Sequence, residues 1–182
     1  MQEGFTAINT KGEIMSDLTN DAILNLARLS IARLDGAWFM AAAKKYGIEA
    51  AWEMDIEAWK QFSYVMGKNL RENIITEPIW PGSFIDVLEI AMNLLGMRGR
   101  SVSIEGNAII VRVTDCDIQK AIAKAGIADC GIATVETYKG MAHGVFGKET
   151  DIVVRHTKNL NHGDDCCEVI IERPRLSQCQ GR

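Results

Sequence analysis

Apolar and small residues recur at three- and four-residue spacing from Ile23: Ile23, Leu26, Ala27, Ser30, Leu34, Ala37, Trp38 and Ala41. That period predicts one long helix. Ser16, Asp17 and Thr19 are candidate N-caps, and Gly47 stops the helix after Tyr46. Between Ile31 and Ala43 the segment is apolar nearly all round, so it is expected to be central and covered on several sides. A second helix over residues 48–73 has its stripe at Trp52, Ile56, Trp59, Phe62, Met66 and Leu70, with Glu53, Glu57, Lys60 and Lys68 off it. Pro78 and Pro81 break the pattern, so 76–82 reads as a linker anchored by Trp80. A third helix over 83–95 buries Phe84, Val87, Leu88, Ala91 and Leu94 or Leu95, and ends at Gly96 and Gly99.

The period then changes from helical to alternating. Residues 101–105 alternate, Gly106-Asn107 turn, and 108–113 are β-rich, which predicts a hairpin. Asp115 caps a short helix over 117–124, stopped by Gly126. Val135, Tyr138, Met141, Ala142 and Val145 place a helix over 131–146, although Gly131, Gly140 and Gly144 weaken it. Residues 149–156 and 167–172 read as a second hairpin, joined by the polar loop that starts at Lys158. The expected class is α+β: long N-terminal helices, then hairpin–helix–helix–hairpin, forming a four-stranded antiparallel sheet with helices on one face. Residues 1–15 read as an arm, 16–99 as the helical part, 100–173 as the ligand-binding α+β part and 174–182 as a tail. The stretch 16–173 is expected to form one compact domain.

Composition is that of an ordinary globular chain, with 182 residues, 47% hydrophobic and 24% charged. The net charge of −4 comes without a basic stripe, which argues against a nucleic-acid partner. The longest apolar run, residues 36–43, is far short of a membrane span. The first residues are polar and mixed in charge, unlike a secretory leader. A cytoplasmic location is therefore expected, with the five cysteines as thiols.

All eight cysteines and histidines lie after residue 115. Cys116, Cys130, His156 and Cys167 fall mostly at element ends, and such a set can hold zinc (or iron) tetrahedrally. The alternative is structural thiols packed as small hydrophobes. The run His162-Gly-Asp-Asp-Cys-Cys puts His162, Asp164 and Cys167 together, a minimal kit for thiol catalysis. The alternative reading is a polar hairpin loop with Asx turns and a solvated His162. Arg33, Asp35 and Trp38 interrupt an apolar helix and either line a carboxylate-binding pocket or make a helix-to-sheet polar contact. Tyr138 and His143 share the glycine-bearing helix and complete the candidate ligand-binding set.

The runs Ala32-Arg-Leu-Asp-Gly-Ala-Trp-Phe-Met, Lys45-Tyr-Gly-Ile-Glu-Ala-Ala and Asp55-Ile-Glu-Ala-Trp, with Cys116-Asp-Ile-Gln and Cys130, resemble a family of prokaryotic proteins grouped with the L-2-amino-thiazoline-4-carboxylate hydrolases. Residues 140–172, with Gly163-Asp-Asp-Cys-Cys167, resemble 4-vinyl-reductase-type small-molecule-binding domains of the TRAPP and haem nitric-oxide-sensor superfold. His156 stands where both families tend to carry a cysteine. The second resemblance singles out Cys167 of the adjacent pair. Two functions stay open. One is a small-molecule-binding module with a pocket between helices and sheet and a Cys/His metal site. The other is a hydrolase of a small heterocyclic carboxylate, using a metal-bound water or Cys167, with Asp164 or His162 moving protons and Arg33 holding the carboxylate. Whether the chain is an enzyme is left undecided. A homodimer through the second helix and the Trp80 segment is a further expectation.

Overall fold

The computed structural model describes residues 19–174; the arm, the tail and Cys179 lie outside them. Five helices and four strands follow the expected order. Helix α1 (Asn20–Tyr46) starts at Thr19, whose hydroxyl accepts from Ala22 N at 3.2 Å, and stops at Gly47 with φ +92°. Helix α2 (Ile48–Asn73) turns back along it. Helix α3 (Gly82–Leu94) follows the Trp80 linker, where the indole donates to Asn107 O at 3.2 Å and stacks on Phe84. Strands β1 (Arg98–Glu105) and β2 (Ala108–Asp115) form the first hairpin, with Gly106 at φ +64° in its turn. Helices α4 (Asp117–Lys124) and α5 (Gly131–Phe146) lead to β3 (Val153–Lys158), a 3-10 turn at Leu160–His162 and β4 (Cys167–Glu172).

The sheet is antiparallel throughout, in the order β1-β2-β4-β3. Alternate residues of β2 and β4 (Ile109, Val111, Val113, Val169, Ile171) pack with Phe84, Val87, Leu88 and Ala91 of α3 and with Tyr138, Met141, Ala142 and Val145 of α5. This one helix-covered face is the core. The intervening positions carry an ionic ladder, with Arg112 Nε at 2.6 Å from Glu168 and Arg155 at 2.7 Å from Glu172. β3 begins at Val153 rather than 149, because Phe146 O and Gly147 O accept from Thr150 and turn the chain first.

Two expectations are corrected here. The first concerns the glycines of α5. They do not weaken the helix; they let α2 lie against it. A Cβ at Gly140 would stand 2.5 Å from Lys60 O, and one at Gly144 would strike Tyr64 O and lie 2.7 Å from Lys68 N. Ser63, fully buried, fills the remaining space and donates to Lys60 O at 2.9 Å.

The second correction concerns α1, which was expected to be central. It buries no residue. The sheet meets α3 and α5, α5 meets α2, and α2 is the main neighbour of α1. The longest helix of the chain is thus the layer farthest from the sheet. Trp80, in turn, is used inside the protomer, between Phe84, Phe146 and Asn107.

Candidate functional site

One end of the sheet gathers the thiols and an imidazole. Cys116 follows β2 and caps α4, its Sγ accepting from Gln119 N at 3.4 Å. Cys130 occupies the N-cap of α5. Cys167 opens β4 opposite Val113 of β2, and His156 lies on β3 beside it. Four separate elements therefore bring four side chains to one place.

Their electrostatics follow from that closeness. Cys130 and Cys167 shift one another in opposite directions, and the Cys130 thiol donates to Asn159 Oδ1 at 4.0 Å. Cys167 is brought down to about 4, first by Cys130 and then, against burial, by His156 and by Leu160 N at 3.5 Å. Cys130 moves the other way, pushed up by Cys167 and by burial. Burial chiefly raises Cys116. Tyr138 is buried beneath them, and desolvation with the nearby sulfur charges pushes its phenol up. Neither ring nitrogen of His156 has a partner in good hydrogen-bond geometry, although both are shut off from solvent. The imidazole lies against the start of α5, where a Cβ on Gly131 would be 2.7 Å from its Nδ1. Among the described residues no three or more His, Cys, Asp or Glu side chains stand at metal-ligating spacing, and Cys116, Cys130, Cys166 and Cys167 are free thiols.

Beside this cluster lies an open cavity of about 690 Å³ between the start of α5, β3 and the loop after it. Ile132, Val135 and Val154 supply its apolar wall, and Asp129, His156 and His162 are among its polar groups. Asn159 holds the loop. Buried, it donates through Nδ2 to Asp129 at 2.6 Å, accepts from Asn161 N at 2.9 Å, and its own N–H donates to Asp164 at 2.6 Å. Asp129 also accepts from Gly131 N at 2.7 Å, tying the loop to the helix. Sequence reasoning missed Asp129 and Asn159. Their signal was local: an Asx residue two positions before a turn amide at each site.

The candidate residues are distributed as follows. Cys116, Cys130, His156 and Cys167 come together. His162 and Asp164 line the cavity, but His162 faces Asp129 at 3.9 Å and Asp164 is bonded to the backbone of Asn159. Cys167 instead lies with Cys130 and His156, its sulfur accepting from Leu160 N at 3.5 Å. Asp35 and Trp38 line a second, apolar groove of about 720 Å³ between α1 and α2, with Trp59 in the same lining. Arg33 is exposed on α1, and His143 is half-buried near the end of α5. Arg33, Asp35 and Trp38 thus lie on the outer helical layer, not beside Tyr138. No described helix is long and apolar enough to cross a membrane.

An open four-stranded sheet covered on one face by helices, with a cavity at its edge strand, defines an α+β module. The chain belongs to DUF6125, a family of unknown function, whose model matches residues 12–166. No curated protein matches it. Among solved structures it is similar to the phenol-responsive sensory domain of the transcription activator PoxR with phenol. That match has 12% identity and a TM-score of 0.52, covering 80% of this chain and 74% of that one. The likeness is one of fold. Neither the thiazoline hydrolases nor the 4-vinyl-reductase domains appear among these findings.

Proposed function

We propose that this chain is a small-molecule-binding module whose ligand sits in the cavity between α5, β3 and the 159–164 loop. The carrying observation is the cavity itself. Its volume of about 690 Å³ falls in the range of ligand sites, as does its pairing of an apolar wall with a few convergent polar groups. The fold of a domain described as phenol-responsive supports the reading. Phenol and benzoate are therefore the first probes. Isothermal titration is expected to give saturable binding of at least one of them, lost in Val135→Trp, which fills the apolar wall. Absence of binding by both, or binding indifferent to the substitution, would overturn the reading.

A metal at Cys116, Cys130, His156 and Cys167 is the second part of the proposal. What favours it is the donor chemistry: a thiolate, a second thiol in contact with it, and a buried imidazole without a good partner. Zinc favours sulfur and nitrogen donors of this kind, and binding would release the proton of Cys130. Elemental analysis of chelator-free protein is expected to give about one zinc per chain, lost in Cys167→Ser. A metal-free protein whose thiols all react before unfolding would remove it. The hydrolase alternative draws on the same thiolate. With His162 turned to Asp129, the base available to Cys167 is His156. Turnover of 2-amino-thiazoline-4-carboxylate, abolished by Cys167→Ser, is the assay that decides it.

A further inference from the structure

We propose that the outer face of the α1–α2 hairpin is a homodimer interface, covered by a second copy of this chain. Helix α1 spans 27 residues without burying one. Leu34, Trp38 and Met40 are 63%, 71% and 60% exposed, and Leu26, Leu29 and Phe62 add to the same two helices. Single exposed apolar residues are ordinary, but so many large ones on one pair of helices mark an interaction surface. A stretch as apolar as residues 31–43 is ordinarily covered on several sides, and α2 is the main cover the protomer gives it.

The size fits a second copy. Two antiparallel helices of this length, at 1.5 Å per residue and about 10 Å in width, present a face of roughly 40 by 20 Å. That is about 800 Å² per copy, the area a stable protein–protein interface takes from each partner. The charges fit as well. Lys45, Asp35 and Asp55 line the groove between the helices, and Arg33 and Lys44 are exposed on α1. Among the described residues none of these five forms an ion pair. A surface carrying unpaired charges of both signs suits a two-fold interface, where each patch meets its own copy. A uniformly acidic or basic partner would satisfy only one sign, and a lipid surface would bury two carboxylates. Gly36, at mid-helix, has nothing within 4 Å of the place its Cβ would take, so the backbone there is open to close approach.

Sedimentation equilibrium of the full chain tests this. The wild type is expected at twice its chain mass at micromolar concentration. The double variant Leu34→Asp/Trp38→Asp is expected to be a monomer with helical content per residue unchanged, because both side chains are exposed in the protomer. Ile104→Glu, on an exposed strand position away from these helices, is expected to leave the dimer intact. Should the double variant lose helical content, Gly36→Leu replaces it, since the protomer leaves that side chain room; it is expected to weaken dimerisation at least tenfold. A monomeric wild type, whether its α1 is then covered by vesicles, by another protein or by its own chain, overturns the proposal. So does a dimer that survives the substitutions with the same affinity.

Discussion

Asp55 faces Asp35 across the groove between α1 and α2. Burial, and then the neighbouring carboxylate, lift it to about 6 from its ordinary 3.8. Asp35 is raised too, by burial, with the Trp59 hydrogen bond opposing. A raised acid penalises the native state wherever it must be charged, and the penalty fades as pH falls through the native value. At pH 7.5 the native protein carries a charge it disfavours, whereas near pH 5 it holds the proton and the unfolded chain does not. Asp55→Asn is therefore expected to melt higher than wild type at pH 7.5, with the gap narrower at pH 5 and closed only below the ordinary 3.8. An equal gap at both values, read from paired thermal melts, would mean the carboxyl is not lifted. Asn159 offers a second test at this scale. Its side chain satisfies Asp129 and the Asn161 amide in a buried position. Asn159→Ala leaves the Asn161 amide without its acceptor and Asp129 with Gly131 N alone, and is expected to cost about 1–3 kcal/mol in urea unfolding. Amide exchange should rise first over residues 159–164. The cysteine and histidine cluster was legible in the sequence because its members stand at the ends of elements whose order was readable. Asp129 and Asn159 carried only the local Asx-turn half of their signal; the bond between them depends on two loops meeting.

Among the elements, the contact of α2 with α5 shows how a local signal misleads. Glycine inside a helix lowers its intrinsic propensity, which argued against a helix at 131–146. The structure uses Gly140 and Gly144 to bring Lys60 O and Tyr64 O close, and backbone atoms cannot give way to a methyl group. The sign of the substitution is thus inverted. Gly144→Ala would favour an isolated helix by about 1 kcal/mol, yet here it is expected to destabilise by about 1–3 kcal/mol through overpacking. A midpoint in urea that rises for Gly144→Ala would refute the close approach. The first hairpin was legible in the sequence because Gly106-Asn107 and alternation act within a dozen residues. The register of β2 against β4 was not. It pairs Val113 with Cys167 across 54 positions (167 − 113 = 54), and nothing local encodes that distance.

At the scale of the whole molecule, the chain is a core with a helical layer standing outside it. The buried cluster runs from Leu70 to Ile171 and includes no residue of α1. Apolar periodicity predicted α1 correctly as a helix and misplaced it, because periodicity reports that a face needs covering and not which chain covers it. The consequence is a separable stability. In a lone protomer α1 has little burial to hold it, so it should open far below the free energy of global unfolding. In a dimer its protection must follow mass action, rising with protein concentration until association saturates. The core should not share that dependence. Hydrogen exchange at two concentrations bracketing the dissociation constant is therefore expected to slow amides of α1 and the first half of α2 at the higher one. Amides of α3, β2 and α5 should exchange at the same rate in both, because their partners lie within one chain. If α1 is as protected as α3 at every concentration, the protomer covers that helix by itself, and its exposed apolar face needs no second copy.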